Sequence, residues 1–351
     1  MSSYSALEHA GRLKESLFRK GLHTLVFQPV GAQGLTPDDL SRDEVSQLCD
    51  TLGRFPSLVL EGREPFLRPD LYRLCRTFLL ACGVERLAVL TEGSKPEETA
   101  AFVQDLLFAH PGLGLSIKVS LDGDQALHDR LKSRPGAFND AFVALDKLKS
   151  LKARCPGLSV VVRTMISKEN EGALPDLMGY VFDKVRPDRH EFDLCLPEDG
   201  APGLPDSGSL KRLHRQVLEN KSRYLVRDGA TRLRRVGTLV LAAGAQDLQR
   251  GRLGGPGLCL ACSGGRNICI IGPDGSLRFC PCRAPVGGLR STGMDFRKLW
   301  RSDKAGAERR EHEAGGCSCP ETAFLQASAS AGVLPALRLL LRLPWAIDNL
   351  P

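Results

Sequence analysis

Thiol side chains are concentrated near the carboxyl end of this 351-residue chain. Seven of its twelve cysteines fall between Cys259 and Cys319. In a reducing compartment, such a group of cysteines points to a metal site rather than to disulfides. The segment is therefore predicted to hold a metal through thiolate ligands.

Two sets of four thiolates fit the spacing. The first closes a long loop and suits an auxiliary iron–sulfur cluster, of the 4Fe-4S or 2Fe-2S type; it consists of Cys262, Cys280, Cys317 and Cys319. The second approximates a zinc ribbon, except that its second half reads CxC; it consists of Cys259, Cys262, Cys280 and Cys282. Cys269 is interpreted as a small buried strand residue. Spacing alone leaves iron–sulfur and zinc both open.

A carboxylate at the end of an apolar run is the second feature that could do chemistry. Glu64 lies in "LVLEGREP", and Thr91 and Asp122 lie in the similar strand ends "TEG" and "SLDG". The carboxyl ends of parallel strands meet on one rim of a sheet, where ligands bind. The sequence therefore places these three side chains on one rim.

Alternating short apolar runs and helical patterns must position these residues. The predicted strands are 22–27, 58–60, 86–91, 115–121, 158–166 and 190–194, and helical spacing lies between them. Strands that alternate with helices predict a parallel α/β sheet that curls into a barrel or partial barrel. Within the cysteine segment, "NICIIGPDGSLRFC" predicts a hairpin with its turn at 273–275.

The chain divides by composition into five predicted parts. They are an N-terminal helical segment (1–20), a barrel (21–200), a linker with a basic bridging helix (201–255), a cysteine-rich domain (256–322) and an amphipathic tail (323–351). Much of the net charge of +7 lies between Lys211 and Arg235. The start is too charged for a secretory signal and no apolar stretch is long enough to cross a membrane, so a cytoplasmic protein is expected.

Four blocks and the cysteine segment, in consistent order from Leu22 to Cys319, resemble the radical S-adenosylmethionine (SAM) superfamily. The blocks are "LVLEGREPFLRPDLYRL", "GVERLAVLTEG", "LSIKVSLDGDQALHDRLKSRPGAFNDAFVALDKLK" and "VVRTMISKEN". The cysteine segment, with "IIGPDGSLRFC" and "CSC", is similar to the SPASM or twitch extension of that superfamily. The resemblance implies a partial (β/α)6 TIM-like barrel with SAM bound across its rim.

The resemblance also implies which residues would bind SAM. Gly62, Glu64 and Pro65 match the GGEP block, whose Glu receives the amino group of the SAM methionine. Thr91 would lie beside the cofactor, and Ser120 and Asp122 would lie near the ribose.

Two departures count against SAM chemistry in this chain. Arg63 replaces the second Gly of the GGEP block, where the backbone should approach the methionine. The loop after the first strand should read CxxxCxxC, but "LVFQPVGAQGLTPDDLSRDE" contains neither cysteine nor histidine. Its amides cannot replace thiolates on iron. The sequence therefore favours a degenerate member that has lost the SAM-cleaving cluster.

Three functions follow from these features. The favoured one is a non-catalytic protein that binds a peptide, a protein or an active homologue, because folding does not require a site built on a loop. The second is a radical SAM oxidoreductase or maturase with unusual cluster ligation, whose ligands would come from Cys49, Cys75, Cys82 or a rearranged loop. The third is a zinc-bearing anion or nucleic-acid binder; nucleic acid is disfavoured because Tyr224 is the only aromatic residue of the basic stretch.

Overall fold

The computed structural model describes residues 21–195, 203–254, 262–314, 319 and 324–325. Several predictions fall outside these residues: the N-terminal segment 1–20, nearly all of the tail 323–351, and two candidate ligands, Cys259 and Cys317. Among the described residues, no helix combines the length and apolar character that a membrane crossing would require.

Nine strands form one sheet in the order β6-β5-β4-β3-β2-β1-β7-β8-β9. The first six strands are β1 (Thr24–Phe27), β2 (Ser57–Leu60), β3 (Arg86–Thr91), β4 (Gly114–Ser120), β5 (Leu158–Ile166) and β6 (Arg189–Leu194). Each pairs in parallel with its sequence neighbour. The six predicted strands and their parallel arrangement are therefore confirmed, with ends shifted by at most two residues.

Helices connect these strands, as crossovers between parallel strands require. They are α1 (Arg42–Leu52), α2 (Leu71–Cys82), α3 (Pro96–Ala109), α4 (Gln125–Leu131), α5 (Ala137–Leu151) and α6 (Leu174–Tyr180). A one-turn 3-10 helix, Pro65–Leu67, follows β2, and a short π-helical segment, Val181–Val185, follows α6. The start of α1 has a capping box between Ser41 and Glu44, which satisfies amides at the helix start.

The two faces of the sheet differ in chemistry because successive side chains alternate in direction. Apolar residues of every barrel strand, such as Ile117 and Val162, join the helices in one hydrophobic core. The opposite, inner face carries charged residues on β4, β5 and β6. This alternation fixes which side chains can reach a ligand inside the barrel.

The cysteine segment continues the same sheet. Strand β7 (Ile268–Ile271) pairs in parallel with β1, so that Leu25 lies opposite Cys269. Strands β8 (Ser276–Arg278) and β9 (Gly287–Gly288) then pair antiparallel, which confirms the predicted hairpin. Cys269 is buried in β7, in agreement with its interpretation as a core residue.

The remaining described helices belong to the basic stretch and to the cysteine segment. The basic stretch forms two antiparallel partners, α7 (Ser207–Arg227) and α8 (Arg232–Arg252), which pack against each other. The cysteine segment adds a 3-10 turn, Leu289–Thr292, and helices α9 (Phe296–Trp300) and α10 (Asp303–Glu313). The boundaries of the five predicted parts stay a prediction.

Candidate functional site: the barrel rim and the cysteine cluster

Glu64 is the centre of the rim where β2 and β3 end. Its side chain is 2% exposed, and its carboxylate accepts hydrogen bonds from two hydroxyls and two backbone amides. The Thr91 hydroxyl lies 2.8 Å from both carboxylate oxygens, and the Ser94 hydroxyl lies 3.0 Å from Oε2. The amides of Phe66 and Glu92 donate at 3.2 and 3.1 Å.

Burial raises the pKa of the Glu64 carboxyl, while these hydrogen bonds oppose that rise. The structure thus brings Glu64 and Thr91 together, as the strand-end pattern predicted. Pro65 starts the 3-10 turn beside them and is buried.

Asp122 lies after β4 and is also engaged by the chain. Its Oδ1 accepts the Met165 amide at 2.8 Å, and its Oδ2 lies 3.1 Å from Nζ of Lys132. Nζ of Lys132 also lies 4.0 Å from the Glu92 carboxylate. Lys132 therefore connects Asp122 to Glu92, whose amide donates to Glu64. Ser120 is buried at the end of β4, opposite Arg163 in the register.

His128 supports the backbone at this position. Its Nδ1 accepts the Asp122 amide at 3.0 Å, and the imidazole is fully buried. Burial lowers its pKa to about 4, so the ring is neutral at physiological pH. His128 therefore positions Asp122 rather than supplying a charge.

The loop after β1, residues 28–40, lies where the resemblance requires three thiolates. Arginines from the loop after β2 hold it. Arg68 donates to the carbonyl of Pro29 at 3.2 Å and to that of Leu40 at 2.6 Å, and it pairs with Asp70 at 2.7 Å. Arg63 donates to the carbonyl of Ala32 at 2.8 Å. The ligands that this loop offers to a metal are amide, carbonyl and hydroxyl groups and the carboxylates of Asp38 and Asp39, and a set without thiolates does not fit an iron–sulfur cluster.

Gly62 and the hairpin of the cysteine segment both contact the loop 28–40. Gly62 has φ +116°, and a Cβ there would lie 2.6 Å from the carbonyl oxygen of Val30, so only glycine fits. From the other side, the Leu40 amide donates to the carbonyl of Pro273 at 2.7 Å. The loop is thus fixed by the protein itself.

The inner face of the barrel carries paired charges. Lys118 lies 2.6 Å from Glu191, and Arg163 lies 2.6 Å from Asp193. Burial opposes ionisation of Glu191, but the charges of Lys118 and Arg189 hold its pKa at about 2. Glu61 has a raised pKa because burial outweighs its neighbouring cations. This face suits a polar ligand.

Three cysteines converge in the carboxyl-terminal segment. The sulfur atoms of Cys280, Cys282 and Cys319 all lie within 4.8 Å of one another. The Cys282 amide donates to Cys280 Sγ at 3.4 Å, and the Gly264 amide donates to Cys262 Sγ at the same distance. Close thiols that accept backbone hydrogen bonds fit a thiophilic metal or cluster.

This trio combines members of both predicted ligand sets. Cys280 belongs to both sets, whereas Cys282 belongs only to the zinc-ribbon set and Cys319 only to the iron–sulfur set. The choice of the four ligands stays a prediction, since Cys259 and Cys317 lie outside the described residues.

The cysteines of the second functional hypothesis do not reach the rim loop. Cys49, Cys75 and Cys82 are buried in the hydrophobic core, and Sγ of Cys82 lies 3.9 Å from the Cys49 carbonyl. Burial raises the pKa of the Cys75 thiol, which disfavours the thiolate that a metal needs.

Three residues of the rim network carry no signal in the sequence. Arg68, Ser94 and Lys132 are residue types common in exposed loops and helices. Their partners lie on other strands or loops, so only the assembled sheet reveals their contacts.

No family model matches the chain. Among curated proteins, it is 31% identical over 149 residues to the pre-heme d1 synthase of Dinoroseobacter shibae, a match over 40% of this chain and 33% of that protein. It is 24% identical over 279 residues to the AdoMet-dependent heme synthase of Oleidesulfovibrio alaskensis, over 76% of this chain and 68% of that protein. The first match thus spans only a third of its relative.

Solved structures of anSMEcpe share the fold. One, with bound AdoMet, aligns with a TM-score of 0.58 at 10% identity, over 93% of this chain and 98% of that chain. Another, with bound AdoMet and the Cp18Cys peptide, aligns with a TM-score of 0.59 at 12% identity over the same shares. The sequence relatives and the shared fold agree with each other, and together they support a relationship of this chain to the radical SAM superfamily.

Proposed function

We propose that this chain is a non-catalytic radical SAM protein that keeps the barrel and a thiolate metal site and acts as a binding partner in peptide, protein or natural-product maturation. One observation carries the proposal. The loop that would need three thiolates to hold a SAM-cleaving cluster has none, and Arg63 and Arg68 fix it through its carbonyls.

The engaged carboxylates on the rim support the loss of SAM binding. A SAM amino group would compete for Glu64 with the donors of Thr91, Ser94, Phe66 and Glu92. A ribose near Asp122 would compete with Lys132. Each exchange would break a buried hydrogen bond, at a cost of about 1–3 kcal/mol.

The polar inner face supports a peptide or protein as the partner. The anSMEcpe structures include two with a bound peptide, whereas the curated relatives are named for heme synthesis. A peptide backbone can hydrogen-bond with the Lys118–Glu191 and Arg163–Asp193 pairs. The partner proposed is therefore a polar peptide segment, carried by a substrate protein or by an active homologue.

The two alternatives receive less support. An active SAM-dependent oxidoreductase or maturase would have to recruit cysteines that lie buried in the core, such as Cys49 and Cys75. An anion or nucleic-acid binder would use the basic helices, but Tyr224 is buried and packs on Phe182 at 5.0 Å between ring centres, so it offers no face for a base.

Anaerobic reconstitution followed by iron and sulfide counting tests the proposal. A chain that keeps only its auxiliary site should bind one cluster, and Cys280→Ser should remove it; two clusters would contradict the proposal. A zinc-loaded, colourless protein would assign zinc to the same thiolates. Cys75→Ser serves as the control, because Cys75 lies in the barrel core.

Ligand titrations separate the partner classes. We expect binding to an immobilised peptide encoded with or near the chain, and weaker binding after Arg163→Gln. The protein is also titrated with heme. A shift of the heme absorption band, together with no binding to the peptide, would instead indicate that the ligand is a tetrapyrrole.

A further inference from the structure

Helix α10 contacts two of the segments that carry thiols: the loop with Cys280 and Cys282, and the turn after Cys262. Arg283, the residue after Cys282, donates from Nη2 to Oε2 of Glu308 at 3.2 Å. Glu311 accepts a hydrogen bond from the same guanidinium. Arg309 donates to the carbonyl of Gly265 at 2.5 Å. The helix thereby ties the loop after Cys280 to the turn after Cys262.

His312 lies between the two loops. It is 1% exposed, and its Nε2 lies 3.2 Å from Oε1 of Glu308. The ring packs on Gly264: a Cβ at that glycine would lie 2.8 Å from Nδ1 of His312 and 2.1 Å from the carbonyl oxygen of Phe279. The Gly264 amide donates to Cys262 Sγ, and Phe279 directly precedes Cys280.

These contacts form a continuous path from one helix to the cysteines. Glu308 joins Arg283 and His312 through its two carboxylate oxygens, and each partner abuts a different cysteine-bearing segment. When the thiols ionise, the resulting thiolates repel one another. Fixing both segments keeps them close together despite this repulsion. Less conformational entropy is then lost when a metal binds.

We propose that Glu308 and His312 are positioning residues that hold the cysteine segments in place before a thiophilic metal binds, and so set the affinity of the site. The inference rests on the metal site of the proposed function and names the residues that control it. Neither side chain is a ligand in this account. Groups that orient metal ligands from outside the coordination shell typically change metal affinity about 10–100-fold.

Zinc competition on the full-length chain tests the inference. The reduced protein is titrated with Zn²⁺ against a chromogenic chelator, for the wild type, Glu308→Gln, His312→Ala and Arg310→Ala. Arg310 is exposed on the same helix and serves as the matched control. Glu308→Gln and His312→Ala should each weaken Zn²⁺ binding about 10–100-fold, while Arg310→Ala leaves it unchanged.

Two further readouts separate positioning from general damage. The thiolate-to-Co²⁺ absorption band of Glu308→Gln should shift or weaken, whereas thermal unfolding of the barrel should stay close to that of the wild type. If His312→Ala does not fold, Glu308→Gln decides the question alone.

The outcomes separate the positioning role of Glu308 and His312 from the existence of the metal site. Wild-type affinity and an unchanged Co²⁺ spectrum in Glu308→Gln would overturn the role of α10 while leaving the metal site intact. A wild-type chain that binds neither zinc nor iron would refute the metal site itself, and the positioning role with it.

Discussion

Glu64 shows how a single buried carboxyl group can be stabilised without a ligand. Its donors come from three segments: the 3-10 turn after β2, the end of β3 and the loop before α3. Burying a carboxylate costs free energy unless hydrogen bonds replace water. The rim is therefore stable in this form, and a cationic ligand would have to displace part of the network.

Replacing Thr91 by Val should destabilise the fold by about 1–3 kcal/mol, because the closest donor to the buried Glu64 carboxylate is lost at nearly constant volume. Denaturant unfolding measures the change. Thr99→Val is the matched control: Thr99 is also buried, but its hydroxyl donates only to the Lys95 carbonyl of its own helix start. Equal effects of the two variants would contradict a special role for Thr91.

The rim loop, residues 28–40, is fixed by an arginine from the loop after β2. Arg68 reaches the loop near both ends, at Pro29 and Leu40, and the hairpin between β7 and β8 contacts it from the opposite side. Hydrogen bonds to charged donors contribute about 1.5–3 kcal/mol each. The loop therefore needs no cluster to keep its conformation.

Arg68→Met should loosen this loop and destabilise the fold by about 2–4 kcal/mol, because buried carbonyls lose their donor and Asp70 loses its partner. Hydrogen exchange of the amides of residues 28–40 should accelerate along with the loss of stability. Arg63→Met removes one bond from an exposed side chain and should cost under about 1 kcal/mol. Slow, unchanged exchange in Arg68→Met would show that other contacts hold the loop.

Local patterns predict the elements of this protein better than their contacts. Apolar runs such as 86–91 and 158–166 mark the strands, and the turn at 273–275 marks the hairpin, because these signals lie within a few residues. The pairing of β7 with β1 joins residues as distant as Leu25 and Cys269 and leaves no local signal. The hydrogen bond from Arg68 to the Leu40 carbonyl and the approach of Cys280, Cys282 and Cys319 also join residues distant in sequence, so they could not be predicted.

The continuous sheet joins the cysteine segment to the barrel as one architecture. Strand β7 extends the parallel sheet beyond β1, and Arg290 pairs with Glu44 at 2.6 Å across the same boundary. Cys280 and Cys282 follow β8, which pairs with β7, so two of the three clustered cysteines are connected directly to this sheet.

Buried histidines make the whole fold sensitive to mild acid. Burial lowers the pKa of His128 to about 4, and that of His190 and His214 to about 3, from an ordinary value of 6.5. The unfolded chain takes up protons that the folded chain does not, so stability is complete above pH 6.5 and falls as the pH drops below it.

Between pH 6.5 and 4, His214→Leu should reduce the slope of the free energy of unfolding against pH by up to about 1.4 kcal/mol per pH unit. The variant removes one group that must stay neutral in the fold, in a helix far in sequence from the rim. Urea unfolding at a series of pH values measures the slope. An unchanged slope would mean that folding does not lower the pKa of His214, which would contradict the effect of its burial.

The central claim is that this barrel no longer cleaves SAM. The most direct measurement is the formation of 5′-deoxyadenosine by the anaerobically reconstituted, reduced protein incubated with SAM. We predict none above a control without protein, with iron present only at the level of the auxiliary site. Formation of 5′-deoxyadenosine by the wild type, and its loss in Glu64→Ala, would contradict the account and identify a working radical enzyme.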